Sequence, residues 1–240
     1  MSNKPSFGRD AEEFLRLVGI NENRSDKGGQ GIRITALVPS SDSSVTVRVS
    51  VDGTGGSESK EFVLLKELCA SLELSVGDVD GTVMPEIEYY ADVTRAYFSA
   101  CTSFAYAPSS LRALEKKLVL KGFERDVAQD AIFAVRSRGF VDEADIALRR
   151  AQLMVGKLWG RNRIIAKLRE EGFDGDTVTF ALRQLSDVDF AENCAALIRK
   201  KYRGTPSDAS EKNKMLASLS RFGYTGAEIR MAIDIINKKP

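Results

Sequence analysis

The sequence predicts a mainly α-helical protein: three tandem three-helix repeats forming a curved array, preceded by a small α+β region with a β-hairpin. Three observations predict it. Leu118, Gly122, Phe123, Ala131 and Ile132 return at identical spacing as Leu168, Gly172, Phe173, Ala181 and Leu182, and again as Leu219, Gly223, Tyr224, Ala232 and Ile233. An apolar residue stands eight before each glycine: Leu114, Ile164 and Met215. The glycines lie 50 and then 51 residues apart, a period that marks a helical repeat. From Glu88 onward the apolar spacing is helical throughout. Before it stand two β-branched runs.

Residues 1–28 read as a flexible tail with one amphipathic segment, Ala11–Val18. Residues 29–87 form the α+β region. Gly28-Gly29-Gln30-Gly31 lacks the Lys-Ser/Thr of a phosphate loop, so it reads as a lead-in to the strand GIRITALV. After PSSDSS comes VTVRVSVDG, in which Val45, Val47, Val49 and Val51 share one face; the pair predicts a hairpin with a six-residue connection. DGTGGSES reads as a loop. Phe62 to Leu74 reads as a helix with Phe62, Leu65, Leu68 and Cys69 on one stripe. Val76–Pro85 reads as irregular or a short strand.

The repeats run over 88–139, 140–186 and 187–240. Their first helices begin near YADVTRAYFSA, DEADIALRRA and DVDFAENCAA. The second are SLRALEKKLVLKG, RNRIIAKLREEG and SEKNKMLASLSRFG, each ending at the recurrent glycine, which takes positive φ at low cost. The third are RDVAQDAIFAVRSRG, GDTVTFALRQL and TGAEIRMAIDIIN. Asp208-x-x-Glu211 and Thr225-x-x-Glu228 have capping-box form, and Asp142 and Asp187 are placed to cap the first helices of the second and third repeats. Helices this short are marginal alone, so packing between them must hold each repeat together.

Composition narrows the chemistry. The chain has no histidine, which removes imidazole bases, Ser-His-Asp and Cys-His nucleophiles and the zincin motif. Cys69, Cys101 and Cys194 form no Cys-x-x-Cys, so no zinc or redox site is expected, and an odd, sparse count suits a reducing compartment. Glu86/Glu88 and Asp187/Asp189 are paired carboxylates without a neighbouring base and read as helix-start charges. No catalytic residue, cofactor or metal is expected. MSNKPSFGRDAEEF does not read as a signal peptide, and no apolar run approaches bilayer length, so the expectation is a cytoplasmic chain. The net charge of +1 divides into −5 over residues 1–87 (9 basic, 14 acidic) and +6 over residues 88–240 (26 basic, 20 acidic).

The sharpest local feature is residues 146–169, with seven basic residues and no acid: Arg149, Arg150, Lys157, Arg161, Arg163, Lys167 and Arg169. Ile164 and Leu168 belong to the repeat core, so the charges beside them should point outward. A second run holds Arg199, Lys200, Lys201 and Arg203. Such surfaces steer acidic partners and bind phosphates. A solvated helical face is the plainer reading, and 24 acid-free residues argue against it, because exposed helices ordinarily mix signs. Trp159, the sole tryptophan, reads either as core packing at a helix junction or as an exposed anchor that stacks on a base.

The segment from Ser109 to Gln152, followed by GRNRIIAKLREEGF, resembles the RecX family of regulatory proteins, bacterial modulators of the RecA recombinase. Ser110 before Leu114, Lys117-Leu118, Lys121-Gly122-Phe123, Gly139–Glu143 before Ala147 and Arg150, and Gly160–Ile164 before Leu168–Gly172 carry the resemblance, which extends over roughly 89–240. Tyr106-Ala107-Pro108-Ser109 stands where the family commonly has arginines, and Glu143 where it has a second aspartate. The resemblance implies a non-enzyme that lies along the groove of a RecA–single-stranded DNA filament. It would bridge protomers and suppress ATP hydrolysis, strand exchange and repressor cleavage. The chain itself is expected to be a monomer, with weak direct DNA binding as an addition. The residues alone leave a second reading open, a helical-repeat protein that binds DNA or RNA directly.

Overall fold

The computed structural model of the protein describes residues 31–53 and 56–238; the expected tail 1–28 and the glycine lead-in up to Gln30 lie outside the described residues. Four strands form one antiparallel sheet in the order β3-β2-β1-β4: β1 Ile32–Pro39, β2 Ser44–Gly53, β3 Gly56–Leu65 and β4 Gly77–Val79. Ten helices follow or intervene among the described residues. They are α1 Lys66–Ser71, α2 Val83–Tyr106, α3 Leu111–Leu120, α4 Arg125–Ser137, α5 Glu143–Gly156, α6 Arg161–Glu170, α7 Gly175–Arg183, α8 Phe190–Tyr202, α9 Ala209–Arg221 and α10 Gly226–Lys238.

The expected hairpin is β1–β2, joined by four residues rather than six. Its apolar alternation does what the spacing requires: Ile32, Ile34, Val47 and Val49 are buried on one face. Two expectations fail next to it. Phe62–Leu65 is strand, not the start of a helix, and GSES belongs to β3 rather than to a loop. A short apolar run does not tell strand from helix by period alone. Here pairing with β2 over the whole length of β3 decides, and Leu64 and Leu65 enter the core. The Val76–Pro85 stretch divides into the short β4 and the first turn of α2.

The described residues form two compact units, one of residues 31–106 with 115–140, the other of 107–114 with 141–238. The expected 87/88 boundary falls inside α2, and the sheet shares its unit with the first helices. The cause is visible on α2. Its 24 residues bury Ile87, Tyr90, Val93, Thr94, Ala96, Tyr97 and Ala100, and it packs on β3 and on α4. The buried Thr94 hydroxyl accepts the Leu65 N–H at 2.9 Å, which satisfies the backbone where β3 passes into α1. Arg138, at the end of α4, has a side chain only 9 % exposed. It donates to the Tyr97 hydroxyl at 2.9 Å and to Glu67 of α1 at 2.5 Å.

In the second unit α5 packs on α7 and α8 on α10. The cores are Ile146, Ala147, Ala151 and Met154 against Val178 and Ala181, and Cys194, Ala195 and Ile198 against Ile229 and Ala232. Caps follow the sequence with one change. Asp142 accepts from Asp145 N, Asp208 from Glu211 N, and Thr225 and Glu228 bond reciprocally. The cap of α8 is Asp189, not Asp187; it accepts from Ala191 N and Glu192 N.

The recurrent glycines end α3, α6 and α9 in the same way. Gly122, Gly172 and Gly223 have φ of 94°, 94° and 93°. The following aromatic N–H returns to the carbonyl five residues back: Phe123 to Leu118, Phe173 to Leu168, Tyr224 to Leu219, at 3.2, 3.2 and 3.3 Å. This is a Schellman turn, which needs positive φ and so favours glycine. The turns differ in what covers them. A Cβ on Gly172 would meet Ser110 Oγ at 2.8 Å and Arg112 Cβ at 3.2 Å, and the Ser110 hydroxyl donates to the Glu171 carbonyl at 2.6 Å. A Cβ on Gly223 would overlap the Arg163 backbone; Gly160 N donates to the Phe222 carbonyl at 2.7 Å and Asn162 N to the Gly223 carbonyl at 3.0 Å. Beside Gly122 a Cβ would meet none of the described residues within 4 Å. Helices α3 and α6 begin 11 residues before their glycines, whereas α9 begins 14 before Gly223, one turn earlier.

Candidate partner-binding surface

Both basic runs lie in the second unit. Arg149 and Arg150 sit on α5, Lys157 caps its C-terminus, and Arg161, Arg163, Lys167 and Arg169 sit on α6. Arg199, Lys200 and Lys201 form the last turn of α8, and Arg203 caps it in the left-handed conformation at φ 59°.

The structure separates these residues by what they touch. Arg149 is paired with Asp145 at 2.8 Å, and Lys167 with Glu170 at 3.0 Å; both acids stand just outside the acid-free run. Arg199 is paired with Glu192 at 2.9 Å. These are ordinary exposed pairs, which contribute little. Arg150 donates to the Pro108 carbonyl at 3.1 Å and ties the loop before α3 to α5. Lys157, Arg169 and Lys200 are exposed, and no carboxylate pairs with them among the described residues.

Arg161 and Arg163 correct the expectation that the α6 charges simply point outward. Arg161 lies over the Phe190 ring, 4.8 Å from its centroid. Arg163 lies 3.9 Å from the Trp159 centroid and 5.1 Å from that of Phe222. Lys201 Nζ approaches Phe222 at 5.2 Å and Tyr202 at 5.5 Å, and donates to Ser218 Oγ at 2.9 Å. The two predicted runs therefore meet at Phe222, and Trp159, Arg163, Phe222, Lys201 and Tyr202 form one alternating aromatic and cationic column. Trp159 is half-buried beneath Arg163, between the two alternatives of the sequence.

Helix α6 places two arginines and no acid in its first turn. Positive charge at a helix N-terminus opposes the macrodipole, by roughly 0.3–1 kcal/mol per group. Stacking on Trp159, Phe190 and Phe222 offsets part of that cost. What remains is a cluster of guanidinium and ammonium groups in a place where an anionic partner would relieve the repulsion. Nearby polar groups do not titrate near neutrality: burial pushes the Cys194 thiol up to about 12 and raises the Tyr224 phenol, whose hydroxyl donates to the Leu158 carbonyl at 2.9 Å.

Sequence reasoning missed Phe222, Tyr202, Phe190 and Ser218. A signal for Phe222 existed: it occupies the position before the recurrent glycine, where the other copies carry Lys121 and Glu171. No group of three or more metal-ligating side chains occurs among the described residues, and none of their helices is long and apolar enough to cross a membrane.

No family model matches the chain. It is 31 % identical over 124 residues to regulatory protein RecX of Xanthomonas axonopodis pv. citri, a match that covers 51 % of this chain and 76 % of that protein. Over the same length it is 28 % identical to regulatory protein RecX of Stenotrophomonas maltophilia, again covering 76 % of the relative. A crystal structure titled regulatory protein RecX aligns over 85 % of this chain and 99 % of its own, with a TM-score of 0.65 and 17 % identity. The crystal structure of RecX from Lactobacillus salivarius aligns over 61 % of this chain and 97 % of its own, with a TM-score of 0.53 and 20 % identity. At these identities the two structures speak for the fold.

Proposed function

The chain belongs to the RecX family of regulatory proteins, and we propose that it acts by binding a RecA filament assembled on single-stranded DNA. Binding inhibits the filament's ATPase, strand exchange and repressor cleavage, and so regulates recombination, DNA repair and the SOS response. The protein acts as a cytoplasmic monomer and carries out no reaction of its own. Residues 88–139, 140–186 and 187–240 act as three helical repeats, a reading supported by the three equivalent glycine turns.

The observation that carries the proposal is the convergence of the two basic runs on Phe222. It makes one surface of Arg163, Lys201 and their aromatic partners, with Arg161 stacked separately on Phe190 and Lys157, Arg169 and Lys200 exposed on the same helices or at their ends. Such a surface steers association with an acidic partner and fixes register. The test is the single-strand-DNA-dependent ATPase of the cognate RecA, titrated with this protein. Dose-dependent inhibition is expected, and an unchanged rate at saturating protein sinks the proposal. A second reading, direct binding of single-stranded nucleic acid, is favoured by the same column, since bases stack on aromatic rings and on guanidinium planes. Binding to a labelled oligonucleotide without RecA, at an affinity equal to that for the filament, would select it.

A further inference from the structure

The three glycine turns are equal in backbone geometry, and two of them are seated on a helix start within this chain. The turn at Gly172 receives the start of α3, through Ser110 Oγ on the Glu171 carbonyl. The turn at Gly223 receives the start of α6, through Gly160 N and Asn162 N on the Phe222 and Gly223 carbonyls. Both partners use groups that a helix N-terminus has to spare: a cap hydroxyl, or an N–H without an intrahelical acceptor. The turn at Gly122 has the same φ and the same return bond from Phe123 to Leu118, and a Cβ on Gly122 would meet no described residue within 4 Å.

A second observation is independent of the backbone. The two residues at the third and second positions before the glycine are Arg169-Glu170 and Ser220-Arg221 in the covered turns, all exposed and polar. In the open turn they are Val119 and Leu120, exposed to 43 % and 86 %. The turn without a cover among the described residues is the one that shows apolar side chains to solvent, an arrangement expected of a contact surface. It is also held in place: Lys121 Nζ donates to Ser99 and Ser103 of α2 at 2.8 and 3.0 Å.

We propose that the turn Val119–Phe123 is a docking site for the N-terminus of a helix on the partner protein, seated as Ser110 and Gly160 are seated within this chain. The partner helix begins with Ser or Gly at its cap, so that the cap can approach the glycine, and sets an apolar residue against Val119 and Leu120. The equivalent seats of a second copy are not free for it: the α3 and α6 starts are occupied by that copy's own turns, and the first-turn Glu211 N of α9 is bound by Asp208 at 2.9 Å. The partner is the RecA filament, so the inference rests on the proposed function, but it concerns a site outside the cationic surface.

The test uses the full chain with Val119→Arg and Leu120→Glu together, which copies the pair found in the covered turn at Arg169-Glu170 and so should leave the fold intact. Its affinity for the cognate RecA–single-stranded DNA filament is measured over a range of salt, beside wild type and Arg163→Glu/Lys201→Glu. The expected result is an affinity loss of about tenfold or more, as for an interface anchor, with the salt dependence of wild type retained. Hydrogen exchange at residues 119–123, whose amides are bonded within the turn, should be slowed further by the filament. Wild-type affinity in the Val119/Leu120 variant, with loss in the Arg163/Lys201 variant, overturns the docking site and leaves the proposed function standing. Absence of filament binding by wild type overturns both. Exchange at residues 119–123 that the bound filament leaves unchanged overturns the inference as well.

Discussion

Replacing the three recurrent glycines by alanine, one at a time, separates backbone strain from close approach. All three have φ near +94°, where a Cβ costs ~1 kcal/mol, so that cost is common to the series. Gly122→Ala carries that cost alone, since no described residue lies within 4 Å of its Cβ. Gly172→Ala adds contacts at 2.8 Å to Ser110 Oγ and 3.2 Å to Arg112 Cβ, and displaces the hydroxyl that bonds the Glu171 carbonyl. Overpacking of this kind adds ~1–3 kcal/mol. Gly223→Ala overlaps the Arg163 backbone, which rotation of a side chain does not relieve, so its loss should be the largest, above ~3 kcal/mol in total. The assay is urea denaturation. Trp159 is the sole tryptophan and lies in the same unit as Gly172 and Gly223, so its fluorescence reports their unfolding directly. Gly122→Ala is followed by circular dichroism, because two units need not unfold as one transition. The expected order of midpoints is Gly122→Ala above Gly172→Ala above Gly223→Ala, at unchanged m-value. Equal losses at the three positions would refute the seating of the turns on the helix starts and leave only the helix-end geometry.

Further tests address the surface and the core. Arg163→Glu with Lys201→Glu should abolish inhibition of the filament ATPase, whereas Arg149→Glu, whose arginine is already paired with Asp145, should change it by less than about threefold; equal effects would point to net charge rather than this surface. A double-mutant cycle between Arg163 and Phe222, read by stability, should give a coupling of ~0.5–1 kcal/mol, and zero coupling would remove the stack from the account. Of the three thiols, Cys194 should stay unmodified by a thiol reagent at pH 8 in the native protein, by mass spectrometry, and react only after unfolding. Burial, with Asp126 adding and the Tyr89 hydroxyl opposing, holds the Asp130 carboxyl above its ordinary 3.8. The stability it contributes is therefore complete below about pH 4 and lost as pH rises through the raised value. Relative to Asp130→Asn, wild type should lose stability on that rise; a constant difference across the range would exclude the linkage.

The helical part was legible because its signals are local. Leu118, Gly122 and Phe123 and their equivalents carry spacing, helix end and core position in one short string. Asp208 and the Thr225/Glu228 box likewise declare their caps through near neighbours. What was hidden depends on long-range pairing. Phe62–Leu65 reads equally well as helix or strand until β2 lies beside it. Asp187 and Asp189 both precede α8, and only the chain's direction there makes Asp189 the cap. At the surface the basic residues were countable, but their division was not. The acids that neutralise Arg149 and Lys167 stand just outside the acid-free window, and Phe222, which unites the two basic runs, is 59 residues from Arg163 in sequence.

The additional turn at the start of α9 bears on how a molecule of this kind can be lengthened. Within this chain the Gly172 turn is seated on the start of α3 and the Gly223 turn on the start of α6, so a further turn of this kind would seek the start of α9. The α3 and α6 starts receive their turns through Ser110 and Gly160. At α9 the matching residues, Glu211 and Asn213, already lie within the helix, and Asp208 holds the Glu211 N–H. A start for α9 three residues later, at the spacing that α3 and α6 keep from their glycines, would free that seat for one more glycine turn.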